Sequence, residues 1–189
     1  GNRMDNLEIF NRLGVNCFIF DYRGFGKSQG SPSEGGTYRD AGAAYCWLTE
    51  QKGIPPAGII AFGKSLGGPV AANLAASSQV AGLVLENTFT NCTDMARELF
   101  PWLWVTPFVK FSYSTIDYIE DVTCPVLVFH SEDDDLVPYA LGRRIYEKAR
   151  QPKHFVNLHG SHNEAFLVSG QRYTNAWQDW LRSLEQHRH

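Results

Sequence analysis

GIIAFGKSLGG, residues 58–68, satisfies two sequence motifs at once. As G-x4-G-K-S it matches a phosphate-binding P-loop, and as G-K-S-L-G, residues 63–67, it matches the turn that presents a nucleophilic serine. In a P-loop the four residues between the glycines form the loop itself, but here they are the strand-forming residues IIAF. The preceding KGIPPA contains two prolines, which a central parallel strand does not accommodate. The stretch therefore predicts a strand, a turn that carries Ser65 and an immediate helix, and it disfavours a nucleotide site at Lys64.

The flanking residues suit a sharp strand-to-helix turn. Gly63 and Gly67 let the strand and the helix approach each other closely, and Gly68, Ala71 and Ala72 extend this face of small residues. Ser65 would lie at a helix N-terminus, whose partial positive charge stabilises a developing oxyanion. The backbone N–H of Leu66 is the expected oxyanion donor.

Short apolar runs alternate with longer helical patterns along the chain. The runs are continuously apolar, which is typical of strands buried on both faces of a parallel sheet. We predict an α/β fold, an open and mostly parallel sheet with helices on both faces. The predicted strands are 14–22, 58–63, 80–87, 124–130 and 154–160, and the predicted helices are 37–51, 65–78, 139–150 and 171–186.

Residues 88–122 interrupt this alternation. They are rich in aromatic residues, and Pro101 and Pro107 prevent a long helix. We predict a small helical cap over one edge of the sheet. Its aromatic residues either cover the sheet or line an apolar acyl pocket, for which Phe89 and Trp102 are the candidates.

A nucleophilic serine needs a base and an acid that orients the base, in the chain order Ser, acid, His in this architecture. Two loops that follow predicted strands supply them: SEDDDLVP, residues 131–138, and GSHNE, residues 160–164. The residues alone indicate an aspartate near position 134 and His162. Only one of three consecutive aspartates can point at the histidine, and the others are expected to face solvent. Glu86 is the alternative acid.

Composition narrows the classes of function. The chain has 189 residues, enough for one domain, with 43% hydrophobic and 20% charged residues. A net charge of −3 argues against a non-specific nucleic-acid partner, and no apolar run could span a bilayer. The four cysteines are far apart in the sequence: Cys17, Cys46, Cys92 and Cys124. Their spacing predicts neither a disulfide framework nor a metal site. We expect buried, reduced thiols and therefore a cytoplasmic location.

The motifs together resemble the α/β-hydrolase superfamily, and within it the bud-emergence type of serine hydrolase-like proteins, related to protein depalmitoylases. The resemblance covers nearly the whole chain and rests on FDYRGFGKSQGSPSE (20–34), GKSLGG (63–68), LENTFTN (85–91), HSEDDDLVP (130–138) and GSHNE (160–164). It implies Ser65, Asp134 and His162 as the catalytic residues, with Ser131 where the family usually has glycine. It also implies esterase or thioesterase chemistry on small-molecule acyl substrates, without a metal or an organic cofactor.

The first residues depart from this family. Its members carry further strands before the DYRG strand, whereas GNRMDNLEIFNRLG looks like the tail of a loop that runs into the first helix. We therefore expect an N-terminally incomplete α/β-hydrolase domain over 1–189 that lacks the first strands of the family fold. Gly1 and Asn2 are the candidates for a second oxyanion donor. A preceding segment could anchor the protein to a membrane, as in some relatives.

The expected activity is hydrolysis of a carboxylic ester or thioester through an acyl-enzyme. The two alternatives are a non-catalytic binding module of the same fold and a serine peptidase that acts on small peptides. The DYRGFGKS motif is not expected to form a second site, and we expect Asp21 and Arg23 to brace its loop rather than contact substrate.

Overall fold

A computed structural model describes residues 2–100 and 111–186, with only the backbone of residues 2–4. The strands are β1 (Ile60–Lys64), β2 (Gly82–Glu86), β3 (Val126–Ser131) and β4 (Lys153–Leu158). The helices are α1 (Asn2–Arg12), α2 (Glu34–Cys46), α3 (Gly67–Ser77), α4 (Cys92–Leu99), α5 (Thr115–Tyr118), α6 (Tyr139–Lys148), α7 (Ala165–Val168) and α8 (Gln171–Gln186). A π-helical turn, Trp47–Gln51, extends α2, and a 3-10 turn, Pro56–Gly58, precedes β1.

The four strands form one parallel sheet in the order β1-β2-β3-β4. Alternate residues of the strands face opposite sides, so Leu83 and Leu85 pack towards α3, α5 and α6 while Val84 packs towards α1, α7 and α8. Both faces are thus buried, which explains why the strands read as continuous apolar runs. The predicted parallel sheet with helices on both faces is confirmed, and α8 has the predicted bounds.

The predicted strand at 14–22 is wrong. Residues 15–22 belong to no helix or strand of the described chain, and Phe18 and Ile19 are 45% and 57% exposed. A strand requires a neighbouring backbone to complete its ladder, and no described segment supplies one here. The Phe18 ring instead stacks on Trp47, with ring centroids 5.1 Å apart.

The expectation of buried cysteines is also wrong, and for Cys17 the reason is the same. Cys17 lies in this exposed segment and is itself exposed, as is Cys46 on α2. Cys92 and Cys124 are half-buried, and all four thiols are free. An apolar run predicts burial only when a second element covers it.

The predicted cap is described at its two ends only. Asn91 caps α4 by accepting a hydrogen bond from the Asp94 N–H, and α5 precedes the turn into β3. Glu34 at the start of α2 accepts the backbone N–H groups of Ser112 and Tyr113, each at 2.8 Å. The far end of the cap is therefore tied to α2, while Trp102, Pro101 and Pro107 lie outside the described residues.

Candidate active site

Ser65 occupies the turn between β1 and α3 with φ at +52°, in the left-handed region that non-glycine residues rarely adopt. Three bonds hold this backbone. The Ser65 N–H donates to the Glu86 carbonyl at 3.0 Å, and the Ser65 carbonyl accepts the Thr88 hydroxyl at 2.7 Å and the Gly68 N–H at 2.9 Å. A side chain at Gly63 would collide with the Gly67 backbone. The glycines therefore permit the close strand-helix approach that the sequence predicts.

The same geometry excludes the P-loop interpretation of this segment. Residues 60–64 are a strand paired with β2, so no loop exists there to wrap a phosphate. The Lys64 ammonium lies 2.9 Å from Glu86 Oε1 and is already engaged in an ion pair.

Asp134 and His162 are brought together by the loops that follow β3 and β4. His162 Nδ1 lies 2.8 Å from Asp134 Oδ2 and 3.0 Å from Oδ1, and both side chains are buried. The N–H groups of Leu136 and Val137 donate to Asp134 Oδ1 at 2.9 and 2.8 Å. Because the carboxylate only accepts, His162 donates through Nδ1–H, which leaves Nε2 as the basic nitrogen.

Two opposing effects determine the pKa of Asp134. Burial of the carboxyl acts to raise the pKa, but the hydrogen bonds from His162, Val137 and Leu136 outweigh it. The net effect lowers the pKa of Asp134 below its ordinary value, so the group is ionised at neutral pH. A charged, fixed carboxylate is what the orienting acid of a histidine base requires.

The aspartates on either side are exposed, as the sequence predicts, and they also make hydrogen bonds. Asp133 Oδ2 accepts the Gly160 N–H at 3.1 Å and lies 3.2 Å from His159 Nδ1. Asp135 Oδ1 accepts the His162 N–H at 2.8 Å. All three carboxylates therefore bind the histidine loop, because the ends of neighbouring parallel strands bring the two loops together. Only Asp134 bonds the His162 ring.

Glu86 serves a different purpose from that of an orienting acid. Its side chain is fully buried at the end of β2, where it pairs with Lys64 and accepts the Tyr173 hydroxyl at 2.7 Å. Burial and the adjacent carboxylate raise the pKa of Tyr173 well above its ordinary value, so the phenol remains a donor. Among the described contacts Glu86 has none with His162.

His130 is a structural histidine. Its Nε2–H donates to the Val137 carbonyl at 3.0 Å, and its ring is fully buried 3.8 Å from Asp134 Oδ2. Burial lowers the pKa of His130, which favours the neutral ring. The bond fixes the end of the loop that carries Asp134.

The Ser65 hydroxyl and the His162 ring are not joined by a direct hydrogen bond within the described part of the chain. Their loops nevertheless meet, since Lys64 Nζ lies 3.5 Å from the Asn163 carbonyl, one residue beyond His162. The structure thus pairs the acid with the base, and it places the serine on the adjoining loop.

The two expected oxyanion donors have different outcomes. Leu66 is exposed at the start of α3, and its N–H has no acceptor among the residues described. Asn2 begins α1, with only its backbone described, and Gly1 lies outside the described residues. Their participation stays a prediction.

Phe89, one of the two predicted substrate contacts, is buried, and the other, Trp102, lies outside the described residues. Phe89 packs in a buried cluster whose members include Val70, Tyr113 and Leu141. It therefore supports the inner side of the cap. Its role in binding stays a prediction, as does that of Trp102.

The DYRG loop is braced as the sequence indicates. Arg23 forms an ion pair with Asp40 on α2, with Nη2 2.6 Å from Oδ1, and its backbone N–H donates to the same carboxylate. Asp21 Oδ2 accepts the Lys27 N–H at 3.3 Å. Both residues therefore stabilise the loop.

Sequence reasoning missed the polar supports of the two loops. The Asn87 side chain connects β3 to the His162 loop, and the Ser131 hydroxyl donates to the Gly160 carbonyl. One signal was present, since LENT places two uncharged polar residues directly after a buried strand. Their targets are distant in the sequence, so the pattern alone did not indicate them.

Comparison with known proteins identifies the family. The profile described as alpha/beta hydrolase fold matches residues 7–112, more than half of the chain. This chain belongs to the α/β-hydrolase family. The bud-emergence, depalmitoylase-related subtype stays a prediction.

Two relatives from this family align with nearly the whole of this chain. An uncharacterised protein of Mycobacterium tuberculosis is 39% identical over 185 residues, covering 96% of this chain and 66% of its own length. The lysophosphatidylserine lipase ABHD12 of Danio rerio is 30% identical, covering 98% of this chain and 55% of its own. The chain thus spans about half to two thirds of the length of these relatives.

Among solved α/β hydrolases, the esterase Pf2001 of Pyrococcus furiosus aligns with a TM-score of 0.76 at 20% identity. The alignment covers 95% of this chain and 75% of that structure. At this identity the likeness supports the fold only. Within residues 2–100 and 111–186, no helix combines the length and the apolarity that crossing a membrane requires.

Proposed function

We propose that the protein is a serine hydrolase that cleaves carboxylic esters through an acyl-enzyme. The observation that carries the proposal is the buried carboxylate of Asp134 on His162 Nδ1, at 2.8 Å, beside a loop that holds Ser65 at φ +52°. A structural histidine rarely needs an ionised acid that is fixed by two backbone N–H groups. A strained serine at the start of a helix is likewise costly unless it is used.

The proposed reaction follows from these positions. His162 Nε2 takes the Ser65 proton as Oγ attacks the ester carbonyl, and Asp134 stabilises the resulting imidazolium. The tetrahedral oxyanion is bound by the Leu66 N–H at the start of α3. The imidazolium then protonates the leaving alcohol as its bond to the acyl carbon breaks. His162 next takes a proton from water, whose oxygen attacks the acyl carbon, and it returns that proton to Ser65 Oγ as the carboxylic acid leaves. In free hydrolases the contact between nucleophile and base is often long and tightens when substrate binds, which accommodates the absent hydrogen bond.

For the substrate, we propose an ester with an apolar acyl chain. Leu66 presents an apolar side chain, 40% exposed, beside the nucleophile, and the aromatic-rich residues 88–122 follow the central strand. The lipase name of the Danio rerio relative agrees with this class of substrate. Thioesters and small peptides are the alternatives to be compared.

We also propose that residues 88–122 are a small cap within a single domain spanning 1–189. Two ties support this arrangement: Glu34 binds the backbone at 112 and 113, and Arg144 of α6 lies 2.8 Å from Asp94 of α4. Both ends of the segment are thus held to the hydrolase core.

Reaction with a fluorophosphonate probe, followed by peptide mass spectrometry, tests the proposed nucleophile. We expect an adduct on Ser65, and we expect Ser65→Ala to lose labelling and at least 10³-fold of ester turnover while it remains folded. Ser77→Ala, at the far end of the same helix, is the matched control and should retain both. Equal hydrolysis by Ser65→Ala would refute the assignment. A series of p-nitrophenyl esters, thioesters and short peptides then separates the substrate classes.

A non-catalytic binding module is the second candidate. The missing hydrogen bond between Ser65 and His162 is the observation that favours it. An unlabelled but folded protein without turnover in any of the three substrate series would support this candidate over the hydrolase.

A further inference from the structure

We propose that Asn87 is a positioning residue that holds His162 at its working distance from Ser65. This inference rests on the proposed function and concerns the LENT motif, for which the reaction above has no use. Asn87 directly follows β2, is fully buried and has φ at +45°. An asparagine tolerates this conformation better than most residues, but it remains a strained choice for a buried strand end.

The Asn87 side chain makes one bond to each of two loops. Its Nδ2 donates to the His162 carbonyl at 3.0 Å, and its Oδ1 accepts the Ser131 N–H at 3.0 Å. A carbonyl can only accept and an N–H can only donate, so the orientation of the amide is determined by its partners. The amide therefore links the end of the acid's strand directly to the backbone of the base.

The residues on either side of Asn87 hold the nucleophile. The Glu86 carbonyl accepts the Ser65 N–H at 3.0 Å, and the Thr88 hydroxyl donates to the Ser65 carbonyl at 2.7 Å. Three consecutive residues at the end of the central strand β2 thus support Ser65 and His162 at the same time. Because they form one rigid backbone segment, they determine the separation of the two catalytic side chains.

The left-handed backbone conformation of Asn87 determines where the side chains of residues 87 and 88 point. The left-handed backbone at position 87 turns the chain out of β2, while the Asn87 N–H still donates to the Phe129 carbonyl at 3.0 Å. The side chain of residue 87 then reaches the His162 loop, and that of Thr88 reaches the Ser65 turn. An extended residue would direct these two side chains elsewhere, so the conformation is required by both contacts.

Asn87→Asp is the sharpest test, because aspartate keeps the shape, the tolerance of positive φ and the acceptor for Ser131. It replaces the amide donor to the His162 carbonyl with a carboxyl oxygen, which repels that carbonyl when it is ionised. A misplacement of a catalytic group by about 1 Å costs on the order of 10²-fold in rate. We expect kcat for a p-nitrophenyl ester to fall about 10- to 100-fold, with KM changed less than about threefold, and the fluorophosphonate labelling rate to fall in parallel.

Asn87→Gly is the second variant, since glycine adopts φ +45° without strain and removes both bonds. Ile145→Val, a conservative truncation in the buried cluster between the sheet and α6, controls for general loss of stability. The proposal is overturned if both Asn87 variants turn over and label like Ile145→Val.

A readout that needs no turnover separates this inference from the proposed function. The His162 Nδ1–H proton, bonded to Asp134, gives a downfield resonance in proton NMR, and we expect it to shift or to exchange faster in Asn87→Asp. If the unaltered protein hydrolyses no ester, the proposed function is wrong. The His162 Nδ1–H resonance then tests, without any turnover, whether Asn87 positions His162. An unchanged resonance in both Asn87 variants would then overturn it.

Discussion

The ion pair beside Ser65 gives a stability prediction that does not depend on the proposed reaction. Lys64→Met removes the ammonium that lies 2.9 Å from Glu86, whose side chain is 0% exposed while that of Lys64 is 21% exposed. The Tyr173 hydroxyl would remain the only close polar partner of the buried carboxylate among the described residues. The variant therefore leaves a buried charge without its counter-ion.

Removal of one partner from a buried pair costs about 3–5 kcal/mol. Because Lys64 is partly exposed and water can reach its position, we expect a loss near ~3 kcal/mol, the lower end of that range. Urea unfolding followed by tryptophan fluorescence measures it. With a slope of about 2 kcal/mol/M, the midpoint should fall by about 1.5 M. Lys148→Met is the matched control, since its exposed pair with Glu120 should contribute only about 0–1 kcal/mol.

A double-mutant cycle tests the cause of that loss. Glu86→Gln keeps an acceptor for the Tyr173 hydroxyl and removes the charge, so Lys64→Met combined with Glu86→Gln should recover most of the stability. The coupling expected between two such neighbours is about 0.5–3 kcal/mol. A Lys64→Met variant within about 0.5 kcal/mol of the unaltered protein, or strictly additive losses, would refute the reasoning.

Two further predictions concern the turn and the acid loop. Gly63→Ala should cost at least about 2 kcal/mol in urea unfolding and reduce labelling of Ser65, because its Cβ would meet the Gly67 backbone; a neutral substitution would contradict the proposed close approach. Folding lowers the pKa of both His130 and Asp134. Their unfolded pKa values are about 6.5 and 3.9, respectively. Above its unfolded pKa each group contributes its full stabilisation, which is lost as the pH falls through its folded pKa. Stability should therefore decline below about pH 6.5 and again near pH 4, and His130→Gln should flatten the first decline, whereas an unchanged slope would show that another group titrates.

Local sequence was sufficient for the turn that carries Ser65. Gly63 and Gly67 flank the serine, the strand IIAF precedes it and a helix rich in small residues follows, so the sequence pattern that predicts the turn lies within about a dozen residues. The parallel sheet followed from equally local information, since strands covered on both faces are apolar throughout. Chain order together with the family resemblance was sufficient to nominate Asp134 and His162.

Contacts between distant segments could not be predicted in this way. The segment at 14–22 has the composition of a strand, yet it is exposed because strand formation depends on a partner rather than on the segment itself. Burial of Cys17 failed with it. The shared role of the three acidic residues at 133–135 appears only when the loops after β3 and β4 meet.

The sequence by itself determined the type of fold, the turn that carries Ser65 and the residue types of the candidate site, because these depend on neighbours along the chain. Only the tertiary structure decided that Glu86 pairs with Lys64 and Tyr173, and that Asn87 bonds the backbone of His162. The bonded residues are separated by between 22 and 87 positions in the sequence. The type of a polar residue does not indicate which distant residue will bond to it. A buried polar side chain requires a hydrogen-bond partner, and the packing of the strand ends determines which residue is near enough to be that partner.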